Sequence, residues 1–146
     1  MIQNKKGIRN YNISDTIEAG IVLTGAEVKS IRDNRINIGN AYVKVINNEL
    51  WLINADITQY KFDRTEKYDN TRTRKLLVHK KQIYELLSKS KAAGLTIVPI
   101  KLYFERGRAK VLIGLGKGRK LYENKAREKA RDLDREFHRE KRRLMV

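Results

Sequence analysis

The sequence predicts a mainly β protein, a small antiparallel β-barrel with helices packed against it. Two segments alternate apolar and polar residues as the strands of hairpins do, and the segment between them carries apolar residues at helical spacing. At 146 residues the chain is long enough for one domain with a single core and short for two. Several short strands and few helices are typical of such a barrel.

The first predicted elements are a strand and a short helix. Residues 16–25, TIEAGIVLTG, read as a strand punctuated by glycines. Residues 26–32, AEVKSIR, fit a helix in which Val28 and Ile31 face the core.

Residues 41–56, AYVKVINNELWLINAD, predict a β-hairpin. Two alternating runs flank Asn47 and Asn48, and asparagine tolerates the positive φ of a tight turn. The alternating apolar residues are Val43, Val45, Leu50 and Leu52.

A helix is predicted within residues 80–94, KKQIYELLSKSKAAG. Its apolar stripe consists of Ile83, Leu86 and Leu87, and Gly94 suits the residue just beyond a helix C-terminus.

A second hairpin follows, from residues 96–104, TIVPIKLYF, to the strand that begins at Lys110. Because proline cannot donate a ladder hydrogen bond, Pro99 predicts an edge position or a bulge. The expected apolar faces are Thr96, Val98, Ile100, Leu102 and Phe104 on the first strand, and Val111, Ile113 and Leu115 on the second.

The charge of the chain points to a polyanionic partner. Lys and Arg number 33 against 17 Asp and Glu, a net charge of +16 that would repel itself unless it faced an anion. Nucleic acid and an acidic membrane both qualify. No apolar run approaches the roughly 18 residues of a membrane span, and no signal peptide is visible, so we expect a soluble, cytoplasmic protein.

Enzyme chemistry finds little support in the sequence. There is no cysteine, and His79 and His138 are far apart. No catalytic triad, carboxylate pair or metal-ligand spacing is present, so we expect no catalytic residue, metal or cofactor.

The glycine-rich stretch GLGKGRK, residues 114–120, could belong to a nucleotide-binding enzyme. A dinucleotide site needs GxGxxG between a strand and a helix of a parallel unit, whereas Gly114, Gly116 and Gly118 follow a hairpin strand. The alternative is that the glycines thin a strand where another part of the chain approaches closely.

Basic residues form clusters at the N-terminus, in residues 71–81 and after Gly116. Alternation of Arg72 and Arg74 predicts two guanidinium groups on one side of an extended chain, each able to bind a phosphate through two hydrogen bonds. Glu27 stands among basic neighbours. It forms either a structural ion pair with a nearby Lys or Arg, or a contact with nucleic-acid base edges.

Seven of the eight Tyr and Trp rings of the chain are interleaved with this charge. Such rings can stack on unpaired bases, but for each ring taken singly we favour ordinary packing. They are Tyr11, Tyr42, Trp51, Tyr60, Tyr68, Tyr103 and Tyr122.

The last part of the chain has a different character. Ala126, Ala130, Leu133, Phe137 and Leu144 would form one narrow apolar stripe on a basic helix. We expect a tail that is mobile in the free protein and folds on a surface. An anionic membrane is an alternative surface, although the stripe is thin.

Four segments resemble the SsrA-binding protein (small protein B) family, and they occur in order over nearly the whole chain. They are NKKGIRNYNI, EAGIVLTGAEVKSIR, TRTRKLLVHKKQIYEL and GLTIVPIKLYFERGRAKVLIGLGKGRK. The resemblance implies an OB-like barrel, residues 1–120, that binds the tRNA-like domain of transfer-messenger RNA (tmRNA). It also implies a basic tail, residues 121–146, that forms a helix in the empty message channel of a stalled ribosome during trans-translation.

The resemblance also implies site residues. In the family, residues matching Asn4, Glu27 and the pair Leu76 and Leu77 matter for holding the RNA, and the leucines are expected to act by shaping the fold. The expected RNA-binding residues are Asn4, Lys5, Lys6, Glu27, Lys29, Arg32, Arg72, Arg74, Lys75, Lys117, Arg119 and Lys120. The expected ribosome-binding residues are Lys125, Arg127, Lys129, Arg131, Arg135, His138, Arg139, Lys141, Arg142 and Arg143.

The partners implied by the family are tmRNA and the ribosome, at the decoding centre and message channel of the small subunit and on the large-subunit side. Elongation factor Tu and alanyl-tRNA synthetase act on the same RNA. We expect a monomer that does not bind membranes. The chain departs from the family pattern at Arg9 and Asn10 and at residues 123–125, Glu-Asn-Lys, where the barrel meets the tail.

Overall fold

The computed structural model describes residues 1–118. In this range the helices are α1 (Lys5–Asn10), α2 (Gly25–Arg32) and α3 (Lys80–Ala93). The strands are β1 (Ile2–Gln3), β2 (Tyr11–Ile21), β3 (Ile36–Asn37), β4 (Tyr42–Ile46), β5 (Glu49–Ile53), β6 (Asp56–Ile57), β7 (Arg74–Leu77), β8 (Thr96–Glu105) and β9 (Arg108–Gly118). The predictions for residues 119–146, including Arg119, Lys120 and the tail, lie outside the described residues.

Seven of these strands form one antiparallel sheet that closes on itself. Their order is β1-β8-β4-β5-β7-β2-β9, and β9 also pairs with β8. Because β8 has β9 along one edge and β4 with β1 along the other, the sheet is a ring without a long free edge. The predicted OB-like antiparallel barrel with flanking helices is therefore confirmed. The short strands β3 and β6 pair beside it as a separate two-stranded sheet.

Both predicted hairpins are present. The β4–β5 turn places Asn47 at φ 52° and Asn48 at φ 61°, the left-handed pair that the sequence predicts. The buried core contains apolar residues from every long strand, including Leu50, Leu52, Val111, Ile113 and Leu115. Alternation along β5 and β9 thus places the predicted faces inside the barrel.

The apolar face predicted for β8 is wrong in its first half. Ile97 and Leu102 lie in the core, whereas Thr96 is exposed. The β8–β9 register shifts between Pro99 and Lys101, which makes Ile100 the extra residue of a bulge. One extra residue reverses the alternation on one side of the bulge, so the two halves of β8 need opposite patterns to face one core. Of the two alternatives that Pro99 predicts, an edge position or a bulge, the structure shows the bulge.

The two predicted helices, α2 and α3, are present, and each begins and ends within one residue of the predicted bounds, whereas α1 was not predicted. In α2, the Thr24 hydroxyl accepts from the Glu27 amide and the Glu27 carboxylate accepts from the Thr24 amide, a capping box. In α3, Ile83 and Leu86 are buried and Gly94 ends the helix at φ 62°. Within residues 1–118, no helix has the length and apolar character of a membrane span.

The glycines of the GLGKGRK stretch lie inside β9, between β2 and β8. A Cβ atom on Gly114 would lie 2.7 Å from Ile13 Cγ2 and 2.8 Å from Ile100 Cδ1, and one on Gly116 would lie 2.8 Å from Tyr11 Cβ. These glycines therefore make room for neighbouring side chains, which is the alternative to a phosphate loop. An antiparallel strand interior also lacks the strand-to-helix turn of a dinucleotide site.

Replacing Gly114 by alanine should destabilise the barrel, because the added methyl group overpacks the contact with Ile13 and Ile100. We expect a loss of about 1–3 kcal/mol in the free energy of unfolding, measured by urea denaturation. Gly25→Ala is the matched control, since a Cβ at Gly25, in the first turn of α2, meets nothing within 4 Å. Equal stability of the two variants would contradict this account of the glycine.

Candidate nucleic-acid interface

A buried carboxylate joins two arginines beside the barrel. The Nε and Nη2 of Arg74 donate to Oε2 of Glu27 at 2.8 and 2.6 Å, and Nη2 of Arg72 donates to Oε1 at 2.5 Å. The side chains of Glu27 and Arg74 are 1% and 0% exposed, while that of Arg72 is 35% exposed. We call these three residues the Glu27 network.

The remaining hydrogen-bonding capacity of Arg74 is used by the protein itself. Its Nη1 donates to the carbonyls of Ala55 and Arg72 at 2.8 and 3.0 Å, and its Nη2 also donates to the Asn70 carbonyl at 3.1 Å. The Tyr68 hydroxyl lies 3.3 Å from both Nη2 and Glu27 Oε2. A buried guanidinium with every nitrogen engaged has no donor to offer a phosphate.

Two expectations about these residues need correction. Arg72 and Arg74 do point to one side of the chain, but both bind Glu27, so Arg74 cannot also bind a phosphate as predicted. For Glu27, the structural ion pair is the alternative that the structure shows, rather than a carboxylate open to base edges. Arg72 keeps one third of its side chain exposed and stays a candidate phosphate contact.

The environment of Glu27 keeps its carboxylate ionised. Burial works against the charged form, but hydrogen bonds from Arg72, the Thr24 amide and Arg74, with the charge of Arg74, outweigh it and hold the pKa of Glu27 below its ordinary value of 4.5. The network joins α2 to Ala55, just before β6, and to Asn70 and Arg74, shortly before and at the start of β7.

A second buried polar residue, Asn4, fixes the N-terminal helix. Its side-chain amide donates to the Pro99 carbonyl at 2.7 Å, its backbone amide donates to the Ile100 carbonyl at 2.7 Å, and its Oδ1 caps α1 at Gly7 at 2.9 Å. The bulge in β8 thus supplies the acceptors that dock α1. At 2% exposure, Asn4 itself offers almost nothing to an RNA.

Exposed cations lie above this anchor. Lys5, Lys6 and Arg9 project from α1 beside an open concavity of about 360 Å³ that is shared with residues 36–40. Lys6 Nζ donates to Asn40 Oδ1 at 2.6 Å, across the concavity. We call this region the α1 cleft. Its lysines, arginine and asparagines suit phosphate and sugar oxygens.

The other predicted cations are distributed around the barrel. Lys117 is exposed and pairs in register with Asn12, so it lies at the same end as the C-terminus of α1. The Arg32 guanidinium stacks over the Phe104 ring at 4.6 Å, and Lys29 Nζ lies 5.5 Å from the Tyr60 ring centre. Lys75 Nζ lies 3.4 Å from a Glu49 carboxylate oxygen.

The two leucines after the RxRK motif differ in environment. Leu76 is 2% exposed and belongs to the core, as expected of a residue that shapes the fold. Leu77 is 53% exposed and covers Gly20 on the outside of β2. Leu76 therefore lies where a fold-shaping residue is expected, whereas Leu77 lies at the surface.

Sequence reasoning missed several features of this surface. It did not identify Asn40 or the cleft, because residues 36–40 carry no motif. It did not identify the contact between Tyr103 and Glu18, in which Tyr103 donates a hydrogen bond to the Glu18 carboxylate, and burial together with that bond and the Glu18 charge raises the pKa of Tyr103 to about 12. It also passed over Phe62, which is 70% exposed.

Removing the charge of Glu27 should be costly for stability, because Glu27→Gln leaves Arg74 as a buried and poorly compensated cation. We expect a loss of about 3–5 kcal/mol in the free energy of unfolding, measured by urea denaturation at neutral pH. Because the folded-state pKa is lowered, the stability that ionised Glu27 contributes is present above pH 4.5 and is lost as the pH falls through the folded-state pKa. The difference in stability between the wild type and Glu27→Gln should therefore narrow on acidification, and a difference that widened would contradict the network.

Comparison with known proteins places the chain in a family. A family model described as SmpB protein matches residues 1–143. The SsrA-binding protein of Enterococcus hirae is 49% identical over 137 residues, covering 94% of this chain and 89% of that protein, and the one from Lactobacillus johnsonii is 47% identical, covering 94% and 91%. One chain of a solved structure, described as "tmRNA-SmpB: a journey to the center of the bacterial ribosome", superposes on this chain with a TM-score of 0.67. The two chains are 42% identical, and the match covers 80% of this chain and 82% of the solved one. The chain belongs to the SmpB protein family, also named SsrA-binding protein.

Proposed function

We propose that the chain is the RNA-binding adaptor of trans-translation, which binds the tRNA-like domain of tmRNA and brings it to stalled bacterial ribosomes. The observation that carries the proposal is the likeness, in both sequence and fold, to the SmpB chain solved with tmRNA and the ribosome. The net charge of +16 supports it, since phosphate contacts supply much of the affinity of such proteins.

The proposed RNA surface divides the work between exposed and buried residues. Lys5, Lys6 and Arg9 at the α1 cleft, and Lys117 beside the end of α1, are exposed and can contact the RNA backbone, Lys6 in addition to its hydrogen bond to Asn40. Arg119 and Lys120 continue this surface in the proposal. Lys29, Arg32, Arg72 and Lys75 are further candidates, each already near a partner within the protein.

Asn4, Glu27 and Arg74 act indirectly in this proposal. Their polar atoms are buried and bound to the protein, so they hold α1 and residues 55–74 in place for the residues that touch RNA. Substituting them would weaken RNA binding by displacing neighbours. Loss of binding in such a variant should therefore accompany loss of stability.

The remaining parts of the proposal concern the tail and the partners. Residues 1–120 form the RNA-binding barrel, and residues 121–146 enter the empty message channel near the decoding centre as a basic helix. The ribosome-binding residues proposed for the tail are the ten basic residues between Lys125 and Arg143 that the family resemblance implies. Joining two modest contacts in one molecule makes the second encounter intramolecular and raises overall affinity.

The adaptor acts as a cytoplasmic monomer without catalysis, on an RNA also handled by elongation factor Tu and alanyl-tRNA synthetase.

Neutralising the α1 cleft should weaken RNA binding and reduce its salt dependence. For Lys5→Gln, Lys6→Gln and Arg9→Gln combined, we expect the slope of log affinity against log salt to fall by about 2 to 3, because each phosphate that is no longer neutralised lowers the slope by about 0.7–0.9. Binding of the tRNA-like domain is measured against an unrelated RNA of equal length.

The matched control for that variant is Lys80→Gln, Lys81→Gln and Lys91→Gln combined. It removes the same charge from exposed positions on α3, outside the cleft. An equal fall in slope for both triple variants would show that net charge, and not the α1 cleft, governs binding. Equal wild-type affinity for the two RNAs at every salt concentration would contradict the proposed function itself.

Removing residues 127–146 should separate the two proposed activities. We expect binding of the isolated tRNA-like domain to be nearly unchanged and rescue of stalled ribosomes in a translation assay to be lost. If the truncation instead destroyed binding to the isolated RNA, the division between barrel and tail would be wrong.

A further inference from the structure

The loop that follows β6 carries two neighbouring aromatic rings, of which Phe62 is largely exposed and Tyr60 is half-buried. The rings of Tyr60 and Phe62 meet edge to face, with centroids 5.4 Å apart and an interplanar angle of 69°. Phe62 is 70% exposed, although burying a phenylalanine ring would stabilise the folded protein. Neither ring belongs to the RNA surface proposed for the α1 cleft.

This loop is held in one conformation by its own hydrogen bonds. The Asp63 amide donates to the Tyr60 carbonyl at 2.9 Å, and the Gln59 side chain donates to the Thr65 carbonyl at 2.9 Å. The Asp63 carboxylate accepts from both the amide and the hydroxyl of Thr65, at 3.1 and 2.6 Å. The exposed ring is therefore presented on an ordered turn, which lowers the entropy lost when a ligand binds to it.

Cations flank both rings. Lys29 Nζ lies 5.5 Å from the Tyr60 ring centre, and Lys61 Nζ lies 5.0 Å from that of Phe62. Within residues 58–67 the cations Lys61, Arg64 and Lys67 outnumber the acids Asp63 and Glu66, and Lys29 adds a further cation from α2. An exposed aromatic ring can stack on a base, and ammonium groups near it can bind the phosphates that flank that base.

The loop that carries the two rings is connected through backbone hydrogen bonds to the segment that lines the α1 cleft. Thr58, just before the loop, donates to the Arg35 carbonyl at 3.1 Å, and β3 and β6 pair at residues 36–37 and 56–57. Residues 36–40 line the α1 cleft. The segment that lines the cleft is therefore joined by backbone hydrogen bonds to the segment that leads into the loop.

We propose that Tyr60, Phe62, Lys29 and Lys61 form a stacking site for an unpaired RNA base, with the exposed ring of Phe62 against the base and the lysines on its phosphates. The site rests on the proposed RNA-binding function and adds to it a contact that recognises single-stranded nucleotides. Stacking on an aromatic ring tolerates any base, because every base has a π-face. The site therefore selects for unpaired structure and not for sequence.

The test compares variants of Phe62 in the full-length chain. Phe62→Leu keeps an apolar side chain and removes the ring, whereas Phe62→Tyr keeps the ring. Tyr84→Leu is the matched control, since Tyr84 is 58% exposed on α3. The probes are the tRNA-like domain of tmRNA, small ribosomal subunits, and a fully paired RNA duplex.

We expect Phe62→Leu to lower affinity roughly five- to a hundredfold for at least one of the two probes with unpaired bases. Phe62→Tyr and Tyr84→Leu should bind like the wild type, and none of the three should change binding to the duplex. The probe that loses affinity identifies the source of the base. No loss on either probe, an equal loss for Phe62→Tyr, or a loss on the duplex would each overturn the stacking site.

Fluorescence gives a second and direct measurement. Trp51 is the single tryptophan of the chain, so Phe62→Trp combined with Trp51→Phe reports on position 62 alone. Stacking of a base should quench this emission, and unchanged emission at saturating RNA would overturn the site. Failure of the proposed function is distinguishable, because it appears in the wild type as equal affinity for the tRNA-like domain and an unrelated RNA.

Discussion

The ion pair between Glu27 and Arg74 is the interaction on which the shape of the candidate surface depends. Removing two charges from water is expensive, and a buried pair is tolerated only when the remaining donors and acceptors are also satisfied. Here the guanidinium nitrogens of Arg74 reach Glu27 and the carbonyls of Ala55, Arg72 and Asn70, and Glu27 also caps α2. One carboxylate therefore fixes a helix, a long loop and the start of β7 relative to one another.

Asn4 plays the same part at the other end of the surface. At the bulge in β8, Asn4 donates hydrogen bonds to the carbonyls of both Pro99 and Ile100, and its Oδ1 also caps α1. The lysines and the arginine of α1 owe their position to this buried amide. In both places a polar residue that an RNA cannot reach determines where the accessible cations stand.

Local chemistry made much of the fold predictable. Asn47 and Asn48 predict the β4–β5 turn because asparagine tolerates positive φ, and Gly94 predicts the end of α3 for the same reason. Pro99 predicts an edge position or a bulge, but periodicity does not say which residue is the extra one, so the apolar face predicted for the first half of β8 was wrong. The partners of Arg72 and Arg74 could not be predicted, because Glu27 lies 45 and 47 residues away in sequence and meets them only after the barrel closes. Phe62 was missed for a similar reason, since only the tertiary structure shows that its loop faces outward.

The separation of buried anchors from exposed cations explains how a strongly basic protein can prefer one RNA shape. Lysines and arginines by themselves attract any polyanion, and their contribution falls with salt. Preference arises when these charges are held at fixed separations that match the phosphates of one folded RNA. The β3–β6 ladder joins the residues of the α1 cleft to the chain that continues into the Glu27 network, so the spacing between cleft and loop is set by backbone hydrogen bonds and buried ion pairs. These backbone hydrogen bonds and buried ion pairs weaken less with salt than a surface contact does, because buried pairs are screened much less than exposed ones. High salt should therefore reduce the affinity of the surface while leaving its geometry intact.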